Sequence, residues 1–448
     1  MIARPIAGAP RAYRFPDFSH RRLANGLGVW LVPLPDRELV SIHLLTDAGA
    51  ASEDEAHAGI ADLTAQLLVT GTRRLDASAF AETTERLGFA VGSESSWDSA
   101  RASFTALGSK LDEGLALLVE MLRTPRLDAA EFDRLKGERL NDILQARADP
   151  GRLADESYLR EVFADDVPYG RLSAGRPETV EPLNVEDARA FHANHYAPNV
   201  ADIVIAGAIT PDVALASVER HLGDWAGAAP EHRTFEPAQR GGRRIVLVDR
   251  PGSVQSELRV GHLGINRHDP RYFPALVMAA LLGGVFGSRL NLRLREELGY
   301  TYGARCSFDP RRAVGPFTAT AAVQTEVTTD AIRELLGQLE RIREAPPTET
   351  ELAEVRDFLV GVFPLRFETT GGIASAIEPL AVYDQPHDWW QTYRGKLESV
   401  GTSDVQAVAR ELVRPDEALV LVVGDASVLR AELETAELGP VEVIAAAG

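Results

Sequence analysis

At roughly 100 to 200 residues per domain, a chain of 448 residues with 45 % hydrophobic and 25 % charged residues is an ordinary globular protein of a few domains, neither a stapled module nor a disordered tail. Its net charge of −19, from 66 acidic against 47 basic residues, repels phosphate backbones and anionic lipid, so neither nucleic acid nor a membrane is an expected partner. One cysteine, Cys306, excludes an internal disulfide framework and any multi-cysteine metal site.

Residues 1–21 contain Pro5, Pro10, Arg11 and Arg14 but no apolar run of secretory length, and no later run is read as long enough to cross a membrane. A cytoplasmic protein is expected, or a periplasmic one if a leader was removed. The elements then come twice in the same order, at a period of about 220 residues, which is too long for a solenoid and suits a duplicated domain. Residues 28–48 and 244–264 alternate apolar and polar residues around a turn and predict strand pairs. Apolar helices follow at 59–68 and 274–282, each stopped by glycine, at Gly71 and Gly283. Helical pairs are predicted at 111–122 with 129–146, and at 329–342 with 349–362. The short apolar runs ADIVIAG (201–207) and ALVLVVG (418–424) read as buried strands entering a last helix. Between the halves, residues 226–243 have no apolar periodicity and read as a linker joining domains 1–225 and 244–448. Strands interspersed with long helix pairs predict an α+β fold: two tandem homologous domains, each a mainly antiparallel sheet packed with helices.

The first apolar helix with its flanks, SEDEAHAGIADLTAQLLVTGT (52–72), resembles the signature region of the pitrilysin-like (M16) metallopeptidases, where an acidic stretch precedes an HxxEH-bearing helix ending in Gly-Thr. The stretch VPYGRLSAGRPETVEPLNVEDARAFHANHYAPN (167–199) is similar to a second long pattern of that family, so the resemblance spans nearly the whole chain. Aligned on Gly59, Ile60, Ala61, Leu67, Gly71 and Thr72, HxxEH falls on Asp62, Leu63, Thr64, Ala65 and Gln66. Two histidines four apart on a helix bind zinc, and the glutamate activates the bound water. Here both histidines and the base are replaced, and the family's distal glutamate ligand falls on Asp142. The resemblance therefore implies that this chain holds no metal and does not cleave peptides alone. His192 and His195, three apart, offer a nominal metal pair, but they sit in the family's scaffold pattern.

In the second half, LLGGVFGSRLNLRLREELGYTYGARCSF (281–308) resembles the family segment whose Arg and Tyr, seven apart, reach toward bound substrate; they map to Arg295 and Tyr302. Both side chains donate hydrogen bonds suited to a carbonyl oxygen on which charge develops. Arg293 and Tyr300 have the same spacing, so spacing alone does not choose between them. The glycines Gly283, Gly284 and Gly287 are not followed by a P-loop Lys-Ser/Thr, and a close-packed turn is expected rather than a nucleotide site.

Short two-domain members of the family work as dimers. The leading expectation is a non-zinc subunit that pairs with an HxxEH-bearing M16 chain, the partner supplying zinc and base, while Arg295 and Tyr302 act in trans on peptide substrates. The alternatives are a catalytically inactive homodimer with a structural or peptide-binding role, and an enzyme with a rebuilt metal site at Asp62 and Asp142.

Overall fold

The computed structural model describes residues 8, 11–164, 167–230 and 232–446. Nine of the 21 residues read for a leader, Pro5 and Pro10 included, lie outside the described residues, as does linker position 231.

Runs such as ADIVIAG are apolar at every position because both faces of their strands are covered. The first sheet has the order β1 (Ser19–Arg22), β2 (Gly28–Pro33), β6 (Ala201–Gly207), β3 (Leu39–Thr46), β5 (Ala100–Leu107) and β4 (Ala90–Ser95). Its neighbours are antiparallel except β2 with β6. The second sheet has the order β12 (Val441–Ala445), β7 (Arg244–Asp249), β11 (Leu419–Gly424), β8 (Gln255–Leu263), β10 (Pro316–Gln324) and β9 (Ala304–Phe308). Five of the six positions correspond strand for strand, from β2 and β7 through to the edge strands β4 and β9, and only the first position differs. There β1 is antiparallel to β2, whereas β12, from the end of the chain, is parallel to β7. The fold is α+β with two mainly antiparallel six-stranded sheets.

Each half covers one face of its sheet with its own helices. In the first half, Val29, Leu31, Ile42, Leu44, Ile203 and Ile205 pack with Leu115, Leu118 and Met121 of the Leu111–Arg123 helix. The opposite face, with Trp30, Val32, Leu45, Val204 and Ala206, is covered by Ile373, Ile377 and Leu380 from the Thr370–Val382 helix of the second half. The second sheet receives the reciprocal cover. Val246, Val248, Leu419, Leu421 and Val423 pack against Leu153, Ala154, Tyr158 and Val162 of the Pro150–Val162 helix of the first half. The halves thus exchange one helix each.

Polar bonds fix both exchanged helices. Tyr158 donates from its hydroxyl to the Phe317 carbonyl at 3.1 Å, and Gly261 lies at that approach, where a Cβ would stand 2.5 Å from the same hydroxyl. Arg259 of β8 reaches back to Asp155 at 2.6 Å. On the other side, Glu378 meets His43 at 2.5 Å and Arg101 at 2.7 Å, and Ser41 bonds Thr370 at 2.8 Å. The linker 226–243 carries no helix or named strand among its described residues, yet it is docked, with the Phe235 ring 4.8 Å from that of Tyr169.

The reading that no run is long enough to cross a membrane is corrected. The helical stretch Tyr272–Glu297 has the length and, at 1.6, the mean hydropathy of a span. It is the central helix of the second core: Val277, Met278, Leu281, Leu282, Leu290 and Leu294 are buried there, which accounts for its apolar character. Gly283 sits so close to β9 that a Cβ would lie 2.5 Å from the Cys306 amide nitrogen, the close packing expected of that turn.

Candidate functional site

The helix Ile60–Leu67 begins at Gly59, whose φ of 105° is a conformation that side chains with a Cβ rarely adopt. A helix start leaves backbone N–H groups unpaired. Here the carboxyl of Glu53 supplies the acceptor, taking hydrogen bonds from Gly59 N at 3.1 Å and Ala61 N at 2.7 Å. Glu53 is buried, and burial pushes its carboxyl up to about 8 against the opposing effect of those two N–H groups.

One turn further, Asp62 and Gln66 share a face of this helix, as a spacing of four requires. Gln66 Nε2 donates to Asp62 Oδ2 at 2.8 Å. Burial raises the Asp62 carboxyl above its ordinary value, opposed by the positive field of Arg139 and the bond from Gln66. Ala65, where a base would stand, is fully buried and offers no acceptor.

The Ala129–Ala148 helix packs against this one and carries Asp142. Asp149 ends that helix and caps the next, accepting from Gly151 N at 2.8 Å and Arg152 N at 3.1 Å, with Pro150 in the first turn. The reversal brings Arg152 back onto Asp142, which it meets through two nitrogens at 3.0 Å each. Arg139 meets the same carboxylate at 2.6 Å. These two guanidiniums, Arg152 foremost, hold Asp142 below its ordinary range. Asp62, Gln66 and Asp142 are therefore brought together, with arginine charge among them. Fixed guanidiniums meet the need for positive charge that a dication would otherwise meet.

These residues do not fit zinc. A structural or catalytic zinc needs at least three nitrogen, sulfur or carboxylate ligands. Here one candidate carboxylate is bonded to an amide N–H and the other is saturated by two arginines. No group of three or more His, Cys, Asp or Glu is set to hold a metal ion among the described residues. The rebuilt site at Asp62 and Asp142 is thereby set aside, and no zinc site is formed among the described residues. The nominal His192–His195 pair is scaffold. His192 Nε2 bonds the Leu122 carbonyl at 2.8 Å, and His195 stacks on Phe191 at 4.4 Å. Burial lowers both imidazoles below their ordinary value.

In the second half the two Arg–Tyr pairs of equal spacing separate clearly. Arg293 is committed to structure, gripping Glu334 through two nitrogens at 2.9 Å and Glu297 at 2.8 Å, and Tyr300 packs against the core. Tyr302 is 92 % exposed. Arg295 lies on the wide helical turn Leu292–Glu297, with its guanidinium 4.7 Å above the Phe286 ring and 3.3 Å from Glu296. No bond joins Arg295 or Tyr302 to the Asp62 group among the described residues. Phe286, 69 % exposed beside Arg295, escaped the sequence reading, as did Glu53, Arg139 and Arg152. Of these, Arg139 alone left a local signal, three residues before Asp142 on one helix.

Comparison with known proteins places residues 29–168 in Insulinase (Peptidase family M16) and residues 182–359 in Peptidase M16 inactive domain. The chain is 25 % identical over 370 residues to a non-peptidase homolog, YmxG, of Helicobacter pylori, covering 81 % of this chain and 84 % of that protein. It is also 25 % identical over 410 residues to an uncharacterized zinc protease of Streptomyces coelicolor, covering 87 % and 86 % respectively. Among solved structures, a peptidase M16 inactive domain from Pseudomonas fluorescens superposes with a TM-score of 0.86 at 25 % identity, over 91 % of this chain and 98 % of that one. A protease from Helicobacter pylori shares the fold, with a TM-score of 0.84 at 19 % identity over 92 % and 100 %.

Proposed function

This chain belongs to the M16 peptidase family, and from that premise we propose that it is the non-zinc subunit of a two-chain peptidase. The partner is an M16 chain of similar length bearing HxxEH, which supplies zinc, the general base and the attacking water. This chain supplies Arg295 and Tyr302, which donate hydrogen bonds to the backbone carbonyl of a peptide held between the subunits. Peptides and small unfolded proteins are the substrate class.

The observation that carries the reading is the contrast between the two halves. In the first half the residues that align with the family's metal site are engaged in two sets of bonds, Asp62 with Gln66 and Asp142 with Arg139 and Arg152. The second half keeps Tyr302 in solvent and Arg295 against the exposed Phe286 ring, while the neighbouring Arg293 is consumed by two glutamates. A tyrosine exposed at 92 % contributes little to the fold.

The test is peptide cleavage by the purified chain, alone and mixed with an HxxEH-bearing M16 chain from the same cell, with zinc measured on each sample. Activity is expected only in the mixture. Arg295→Ala and Tyr302→Phe should each lower kcat by roughly 10²-fold or more if their bonds form at the developing oxyanion. Cleavage with stoichiometric zinc by the chain alone would sink the proposal.

One observation favours a second reading, an inactive homodimer with a structural or peptide-binding role. Arg295 lies against Phe286 and Glu296, an arrangement a purely structural surface also allows. Under that reading the mixture forms no complex on gel filtration and the chain pairs with itself.

A further inference from the structure

Three arginines of the first half, Arg147, Arg160 and Arg176, line one pocket of about 150 Å³ beside the Asp142 cluster. In a chain with 66 acidic residues, carboxylate partners are plentiful. Most arginines in this neighbourhood are paired: Arg139 and Arg152 share Asp142, and Arg134 holds Glu131 and Glu138. Arg147, Arg160 and Arg176 are each half-buried, and none has a carboxylate within ion-pair distance among the described residues. A guanidinium stays ionised at any ordinary pH, and the half-buried Glu156, whose carboxylate feels the charge of Arg160, offsets these three only in part.

Helix ends account for part of this. Arg147 and Arg160 lie in the last turns of the Ala129–Ala148 and Pro150–Val162 helices, where the backbone offers partial negative charge. Arg176 has no such excuse, since it precedes the short Pro177–Val180 helix, at whose start the backbone charge is positive. The other charged groups of the lining are Glu156 and the exposed Glu178, neither of them bonded to an arginine. Ile143, Leu153 and Leu172 complete the wall and keep part of the pocket dry.

We propose that this pocket binds a phosphoryl group, as inorganic phosphate or as the phosphate of a small monoester. A carboxylate occupies one guanidinium fork through its two oxygens, whereas a phosphate presents three or more acceptor oxygens and suits several forks at once. The site lies outside the Asp62 cluster and needs neither zinc nor a partner chain. Glu156 opposes the ligand, so its neutralisation favours binding.

The experiment is calorimetric titration of the full-length chain with inorganic phosphate at constant ionic strength. Phosphoserine serves as the monoester arm and acetate as the carboxylate control, and the melting temperature of every variant confirms folding. One saturable site is expected. Arg160→Ala and Arg176→Ala should each weaken it roughly tenfold or more, with Arg160→Lys intermediate because the charge stays and the fork goes. Glu156→Gln, which removes the opposing charge at constant shape, should tighten it. Preference for phosphoserine over phosphate identifies a monoester as the ligand, and the reverse identifies the free anion. Absence of saturable binding, equal affinity in the arginine variants, or acetate binding as tightly as phosphate would each overturn the proposal. Phosphorus NMR line broadening on the unmodified chain gives the same answer without any substitution.

Discussion

At the scale of single residues, the loss of the catalytic groups is deeper than three letters. Restoring the motif as Asp62→His, Ala65→Glu and Gln66→His leaves Asp142 saturated by Arg139 and Arg152. That triple variant is expected to retain well under one zinc per chain after dialysis, measured by atomic absorption. Adding Asp142→Glu with Arg152→Ala frees a third ligand and should raise zinc toward stoichiometry; full occupancy in the triple variant alone would show that the arginine clamp is not what excludes metal. Glu53 makes a different prediction. Its carboxyl is raised from an ordinary 4.5 to about 8 by burial, so the native state binds the proton that the unfolded state releases between those values. Stability from this group is fully present below 4.5 and is lost as pH rises toward 8. Glu53→Gln keeps an oxygen for Ala61 N and cannot ionise. Urea unfolding across that range should show the wild type losing stability relative to the variant, by an amount on the order of a few kcal/mol. Parallel curves would mean that Glu53 is already ionised throughout the range in the folded chain.

At the scale of elements, periodicity located what it encodes. Strands β2, β3, β6, β7, β8 and β11 lie where alternating or continuous apolar runs predict them, and the paired long helices lie within a few residues of their predicted bounds. The Pro150–Val162 and Thr370–Val382 helices were not predicted. Their apolar residues match sheets in the opposite half, a relationship that no local window contains. The same limit applies at the site. The placing of Asp62 beside Gln66 was legible because residues four apart on a helix share a face, whereas the Arg152 clamp depends on a helix reversal at Asp149–Pro150. Spacing alone did not separate Arg295 from Arg293, because the partners that tell them apart, Glu334 above all, lie on another helix. The exchanged helices also carry a testable load. Ile377 is fully buried against the first sheet. Ile377→Ala should cost about 2–5 kcal/mol in urea unfolding. It should also move the unfolding of both halves together, read by tryptophan fluorescence and far-ultraviolet dichroism; a change confined to one of two separate transitions would refute the coupling.

At the scale of the whole molecule, mutual covering of the sheets means that neither half has a complete interior of its own. Residues 1–243 and 244–448 produced separately are each expected to aggregate, since one face of a sheet rich in Val, Leu and Ile loses its lid. Produced together they should recover a single soluble species on gel filtration; soluble, folded separate halves would contradict this. Two sheets that match at five of six strand positions, each roofed by a helix that its counterpart lends, form a reciprocal pair within one chain. One chain thereby holds together, through residues 226–243, two similar units that depend on each other for cover. One half carries the Asp62 cluster and the other Arg295 and Tyr302, while each keeps the roof it depends on.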